Sequence, residues 1–158
     1  MKYQNYINNI LDSYKCKSHG DYLVCLPVYD ENKKIISFLR PITKNYIETI
    51  PNCVELMSKW RIENPTISTG KFVVTHERTQ RWLDNLVINN NDRIIFLITD
   101  FFGNYLGHIG FALFQYDIKS AEIDSVLRGE KKVLPGLMQF CMDTIINWGW
   151  KVLKLKKQ

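Results

Sequence analysis

"AEIDSVLRGEKKVLPGLMQFCMDTIINWGW", residues 121–150, passes from strand-like alternation, through a charged loop containing Gly129 and Gly136, into a helical pattern introduced by Pro135. Proline suits the first turn of a helix because the amide it lacks would have no partner there. A strand, a glycine-containing loop and a helix N-terminus can together hold a phosphate, since unpaired N–H groups and the helix dipole point at the ligand. An ordinary strand-to-helix turn carries the same local signature, and both readings stand at this level. Within the helix, Gln139, Asp143, Asn147 and Lys151 recur every four residues as a narrow polar stripe, while most other positions are apolar. Such a helix is expected to bury itself against a sheet.

That sheet is legible upstream. "RIIFLITD" (93–100), "NYLGHIGFALF" (104–114) and "SAEIDSVLRG" (120–129) are three consecutive strand patterns, joined by "FFG" and "QYDIK" turns, and predict an antiparallel meander. Before them, Thr75 is placed to cap a helix running to about residue 88, with Glu77 in its first turn and Trp82, Leu83, Leu86 and Val87 on one face. Residues 44–60 predict a helix interrupted near Pro51, followed by a loop over "RIENPTISTG" (61–70). At the N-terminus, Tyr6, Ile7, Ile10 and Leu11 give residues 3–14 a helical period. "DYLVCLPVYDENKKIISFLRPI" (21–42) reads as two strands around a polar turn at 30–33, the first an edge strand because Pro27 cannot donate to a ladder.

The length of 158 residues suits one domain, and 46% apolar residues exclude a disordered composition. The longest apolar runs are too short to cross a bilayer, and the first twenty residues carry no secretory-leader pattern, so a soluble, cytoplasmic protein without a membrane partner is expected. Cys16, Cys25, Cys53 and Cys141 show no C-x-x-C pairing and no histidine at ligand spacing; they read as reduced thiols, with no metal site. Cys141, inside the last helix, reads as a core thiol. The net charge of +5 is concentrated in "KVLKLKKQ" (151–158) and in Lys131 and Lys132, without the interleaved aromatics of a nucleic-acid surface. A local basic edge suits an anionic small molecule, or is a solvated lysine face.

The order strand, helices, three-strand meander, loop, buried helix resembles the GNAT superfamily of acyl-CoA-dependent N-acyltransferases, in particular the ribosomal-protein N-acetyltransferase-like branch. The residues carrying the resemblance are "FLRPIT" (38–43), "MSKWRIENP" (57–65), "YLGHIGF" (105–111) and the opening segment. It implies an α+β, three-layer fold with a mostly antiparallel central sheet flanked by helices. One domain would span 1–158, with 1–35 as an N-terminal helix and hairpin extension and 36–158 as a partial GNAT core. The family continues past the buried helix with further strands. Either "KVLKLKKQ" begins the next strand, or a second copy of the chain completes the sheet as a homodimer.

The implied activity is acetyl transfer from acetyl-CoA to a primary amine of a small molecule or amino sugar, by direct attack. The resemblance assigns the main chain of Val126 and Leu127 to the pantetheine and thioester. It assigns amides near Arg128, Gly129, Gly136, Leu137 and Met138 to the diphosphate, with charge added by Lys131 and Lys132. Asp124, mid-strand, would act as base or amine anchor, or else pair with an arginine. His108 would relay a proton, or simply pack. Trp60, Glu63, Asn64 and Tyr105, with Phe72, would line the acceptor pocket, or cap and pack the helix end. The alternative function is a non-catalytic module of the same fold that binds coenzyme A or a protein. A basic nucleic-acid-binding domain is the third.

Overall fold

The computed structural model describes residues 2–16, 24–64 and 73–157. Strands β1 (Leu26–Tyr29), β2 (Ile35–Pro41), β3 (Ile94–Thr99), β4 (Tyr105–Gln115) and β5 (Ser120–Arg128) form one antiparallel sheet in chain order. Helix α1 (Lys2–Cys16) precedes them. Helices α2 (Tyr46–Thr49), α3 (Cys53–Glu63) and α4 (His76–Trp82) lie between β2 and β3, and α5 (Leu137–Lys151) follows β5. The class is therefore α+β, as expected.

The central strand shows why the sequence alternates so little there. Ile94, Phe96 and Ile98 pack with Ile7 and Leu11 of α1 and with Cys141, Ile145 and Trp148 of α5. Ile95 and Leu97 belong to a second core with Met57 and Trp60 of α3 and with Leu83 and Val87. Every residue of β3 is buried, because helices cover both of its faces.

Local signals set several boundaries. The Asp30 carboxylate accepts the amides of Asn32 and Lys34 and closes the β1–β2 turn. Pro51 separates α2 from α3, with Asn52 in the left-handed region at φ 62°. Thr75 caps α4 by accepting the Arg78 amide at 3.1 Å. Two expectations need correction. Helix α3 runs on to Glu63, taking in the first part of the expected loop; residues 65–72 lie outside the described residues. Beyond Trp82 the helix widens into a π-helical segment, Leu83–Ile88, closed by the Asn89 amide on the Asp84 carbonyl. The wider turn rotates Ile88 into the core and leaves Leu86 48% exposed, so the predicted apolar face is correct at Trp82, Leu83 and Val87 and fails at Leu86.

Residues 152–157 form no strand on β5. The Tyr6 and Tyr3 hydroxyls donate to the carbonyls of Val152 and Leu153, Leu153 is fully buried, and the Lys156 amide donates to the Lys119 carbonyl. These bonds hold the segment against α1 and the β4–β5 turn. Among the described residues β5 is the edge of the sheet.

One buried cation ties the N-terminal helix to this frame. Lys15 is 2% exposed and its Nζ donates to the carbonyls of Val87 and Asn90, at the end of the π-helical segment. Burial pushes its pKa down to about 8 from 10.5. Between those values the folded chain has released a proton that the unfolded chain still holds, so this group's contribution to stability rises with pH. Lys15→Met is expected to abolish a rise on the order of 2 kcal/mol across that window. The measurement is the difference in urea-unfolding free energy between wild type and variant, which cancels the opposing contribution of Cys53 and Cys141, whose thiols burial pushes up to about 12. A difference independent of pH would refute the assignment.

Candidate functional site

Where β3 ends, β4 begins and β5 ends, α3 stands across the sheet and leaves a cleft of about 1000 Å³. Leu56, Lys59 and Glu63 line it from α3, and Asp100, Gly103, Asn104, Tyr105 and Leu106 from the β3–β4 turn and the start of β4. Gly129, Glu130, Lys131 and Lys132 complete it from the loop after β5. The turn is tightly made: the Asp100 carboxylate accepts the amides of Phe102 and Asn104 and the Asn104 side-chain amide, and Gly103 takes φ 84°. Behind Tyr105, the buried guanidinium of Arg40 donates to the phenol oxygen and to the Thr49 carbonyl. Lys59 lies between Glu63 at 3.9 Å and Glu130 at 3.4 Å. Lys131 and Lys132 are exposed and make no ion pair with any described residue.

The residues assigned to a cofactor divide into three groups. Gly129, Lys131 and Lys132 border the cleft; Val126, Leu127 and Arg128 lead to it along β5; Gly136, Leu137 and Met138 stand at the far end of the loop. Two amides expected to meet phosphate are already used. The Gly129 amide, together with that of Glu130, donates to the Leu106 carbonyl, and the Leu137 amide donates to the Leu134 carbonyl. Gly129 is glycine for a packing reason, since a Cβ there would stand 2.1 Å from the Trp60 indole. Gly136 is the N-cap of α5 at φ 81° and has no side chain to accept the first-turn N–H groups.

The two residues assigned to catalysis both lie outside the cleft lining. Asp124 accepts from Arg93 at 2.6 Å and from the Ser125 hydroxyl at 3.1 Å, while the Arg93 guanidinium sits over the Trp82 ring. The ion-paired reading of this carboxylate is the one observed. His108 is 5% exposed, and its Nδ1 lies 2.5 Å from the Ser125 carbonyl oxygen, so Nδ1 carries the proton and the ring is neutral. Burial drives its pKa down to about 4, outweighing the hydrogen bond to Ser125, which pulls it up. The ring braces a bulge: His108 pairs with Leu127 and Gly110 with Asp124, so Ser125 and Val126 oppose Ile109 alone, with Ser125 at φ 54°.

Of the acceptor residues, Glu63 and Tyr105 line the cleft. Trp60 is fully buried beneath it, donating from Nε1 to Glu130 at 2.8 Å, and Asn64 caps α3 through the Trp60 carbonyl. Phe72 lies outside the described residues. Sequence reasoning missed Lys59, Asp100, Asn104 and Glu130. The Asp-Phe-Phe-Gly-Asn turn could have signalled Asp100, whereas the Trp60–Glu130 contact spans seventy residues and has no local signature.

Among the described residues no group of His, Cys, Asp or Glu could hold a metal ion, and no helix is long and apolar enough to cross a membrane. No protein-family model matches the chain, and no curated protein matches it.

Proposed function

We propose that the protein is an acyl-CoA-dependent N-acyltransferase of the GNAT type, transferring acetyl to the primary amine of a small molecule or amino sugar. The order of elements supports this: a strand, paired helices, a three-strand meander and a crossover to a helix on the opposite face. The observation that carries it is the bulged edge strand β5, which runs into a cleft bordered by Lys131 and Lys132 and continues toward a helix whose N-cap, Gly136, has no side chain. With the Gly129 and Leu137 amides already bonded within the chain, Lys131 and Lys132 at the cleft and the first turn of α5 at Met138 are the groups of the assigned set left to meet a diphosphate.

When bound, acetyl-CoA supplies an activated acyl group as a thioester. The chain's part is to hold it, orient the amine and offer hydrogen-bond donors where charge develops. A bulge releases main-chain groups from the ladder, and with the Ser125 carbonyl taken by His108 it is the backbone at Val126 that is offered along the sheet edge. Glu63, on the cleft wall, is a carboxylate suited to an acceptor ammonium. A second copy pairing along β5 belongs to the same proposal, as does a reducing, cytoplasmic setting that suits four free thiols.

Acetyl-CoA is expected to bind and to raise stability by about 2.7 kcal/mol at a hundred times its Kd. Calorimetry and thermal unfolding measure this, and release of free thiol in the presence of primary amines measures turnover. Binding without thiol release favours the non-catalytic module, a reading supported by Asp124 and His108 both being committed elsewhere. Absence of binding at millimolar acetyl-CoA overturns the acyltransferase and a coenzyme A-binding module alike.

A further inference from the structure

At the opposite end of the sheet, where β3 begins and β4 ends, a second cleft of about 340 Å³ opens between α1 and the turn that follows the π-helical segment. Asn89, Asn90, Asn91 and Asp92 form one wall with Asn85; Gln4 and Asn8 line it from α1, and Tyr116 closes the rim. The size falls at the small end of the range for small-molecule sites.

The lining argues against three classes of ligand. Among the described residues no lysine or arginine lines the cleft, so an anion would lack a cationic partner there. Asp92 is its single carboxylate, which is too little charge to hold a metal ion well, and no aliphatic side chain is present to bind a hydrocarbon. Side-chain amides predominate, and each sets a carbonyl acceptor beside an NH2 donor. Neighbouring hydroxyls on one molecule match that pairing, because a hydroxyl both donates and accepts. The side chains of Gln4, Asn85, Asn89 and Asn91 make no hydrogen bond to any described residue and are free to meet such a ligand.

The wall that carries them is fixed from within the protein. The buried Lys15 ammonium donates to the Val87 and Asn90 carbonyls, while the Asn90 side chain donates to the Leu86 carbonyl and accepts the Asp92 amide. A buried cation is costly unless it is hydrogen-bonded, and here the bonds that offset the cost hold the asparagine turn in one geometry. The π-helical segment that leads into it is a rare form, found frequently at functional sites. Tyr116, stacked on Phe114 with ring centroids 6.0 Å apart, supplies the aromatic surface at the rim.

We infer that this second cleft binds a neutral saccharide, its hydroxyls paired with the free asparagine and glutamine amides and one apolar ring face set against Tyr116. The sugar needs no amine and the site shares no residue with the acyl-transfer cleft, so the inference goes beyond the acyltransferase reading and does not depend on it. The ligand is either a free oligosaccharide or the end of a longer glycan.

The test is NMR titration of the full chain, following individual side-chain amide signals, with maltotriose and triacetylchitotriose as probes and calcium and pyrophosphate as controls. At least one trisaccharide is expected to bind saturably in the millimolar range and to shift the signals of Asn85, Asn89 and Asn91, leaving the backbone signals of Lys131 and Lys132 in place. Asn85→Ala combined with Asn91→Ala, two exposed positions with no side-chain bond to lose, is expected to weaken that binding about tenfold or more, the size that two lost hydrogen bonds carry. Retention on immobilised glycogen or chitin that the trisaccharide reverses assigns the site to a glycan chain; binding of the trisaccharide alone assigns it to a free sugar. The inference falls if neither trisaccharide moves the asparagine signals at tens of millimolar, or if the shifts gather around Lys131 instead. It falls equally if the double variant binds as wild type does, or if calcium or pyrophosphate occupies the cleft in the sugar's place.

Discussion

Trp60→Ala is expected to destabilise the protein by about 3–5 kcal/mol, the range for removing a large buried aromatic side chain. Trp60 is wholly inaccessible and is shared by both walls of the cleft. From α3 its indole fills the space above Gly129, reaches Glu130 through Nε1 at 2.8 Å, and lies with its ring centroid 5.9 Å from that of His108. Its removal leaves a cavity between helix and strand that the neighbouring backbone, fixed by the Gly129 and Glu130 amides on Leu106, cannot collapse to fill. The loss is read as a lower urea midpoint with an unchanged slope. Trp60→Phe, which keeps most of the volume, is expected to lose far less, about 1 kcal/mol for the hydrogen bond to Glu130. Equal midpoints for wild type and Trp60→Ala would show that the indole does not form the floor of the cleft.

Acid is expected to cost the protein about 3 kcal/mol through His108 alone. Below the ordinary imidazole pKa of 6.5 the unfolded chain takes up a proton that the buried folded ring refuses until about pH 4. Stability therefore falls as pH falls across that window and is fully retained above it. The refusal has a structural cause: Nδ1 already donates to the Ser125 carbonyl, and the surrounding core offers a second proton no water. His108→Gln retains an N–H for that carbonyl without titrating, so the difference in unfolding free energy between the two proteins should change between pH 6.5 and about 4 and be flat above it. A constant difference would mean that the ring titrates in the fold as it does in the unfolded chain, and would reopen its role as a proton carrier.

Much of the architecture is written in local chemistry. Pro51 cannot continue the helix before it, Thr75 can accept an amide from the turn it precedes, and Asp30 can close a hairpin with its own neighbours. The unbroken apolar run of β3 and the narrow polar stripe of α5 report how completely each is covered, and the β1–β2 hairpin and the β3–β4–β5 meander could be anticipated from residues alone. The cationic loop after β5 was equally visible, and Lys131 and Lys132 do border the cleft.

What could not be anticipated depends on contacts between residues distant in the chain. Asp124 looks the same in sequence whether it faces a substrate or Arg93, and His108 looks the same whether it is open to solvent or braced against Ser125. A bulge at Ser125 and Val126 and a π-turn at Leu83–Ile88 each rotate the residues that follow, so a face counted on ideal periods drifts away from the core. Gly129 read as room for a phosphate and proved to be room for Trp60. Periodicity and capping are settled within a few residues, and so the sequence carries them openly. The cleft, its floor and the partners of its charges arise only when α3, β4 and β5 meet, because burial and pairing are properties of the space between elements.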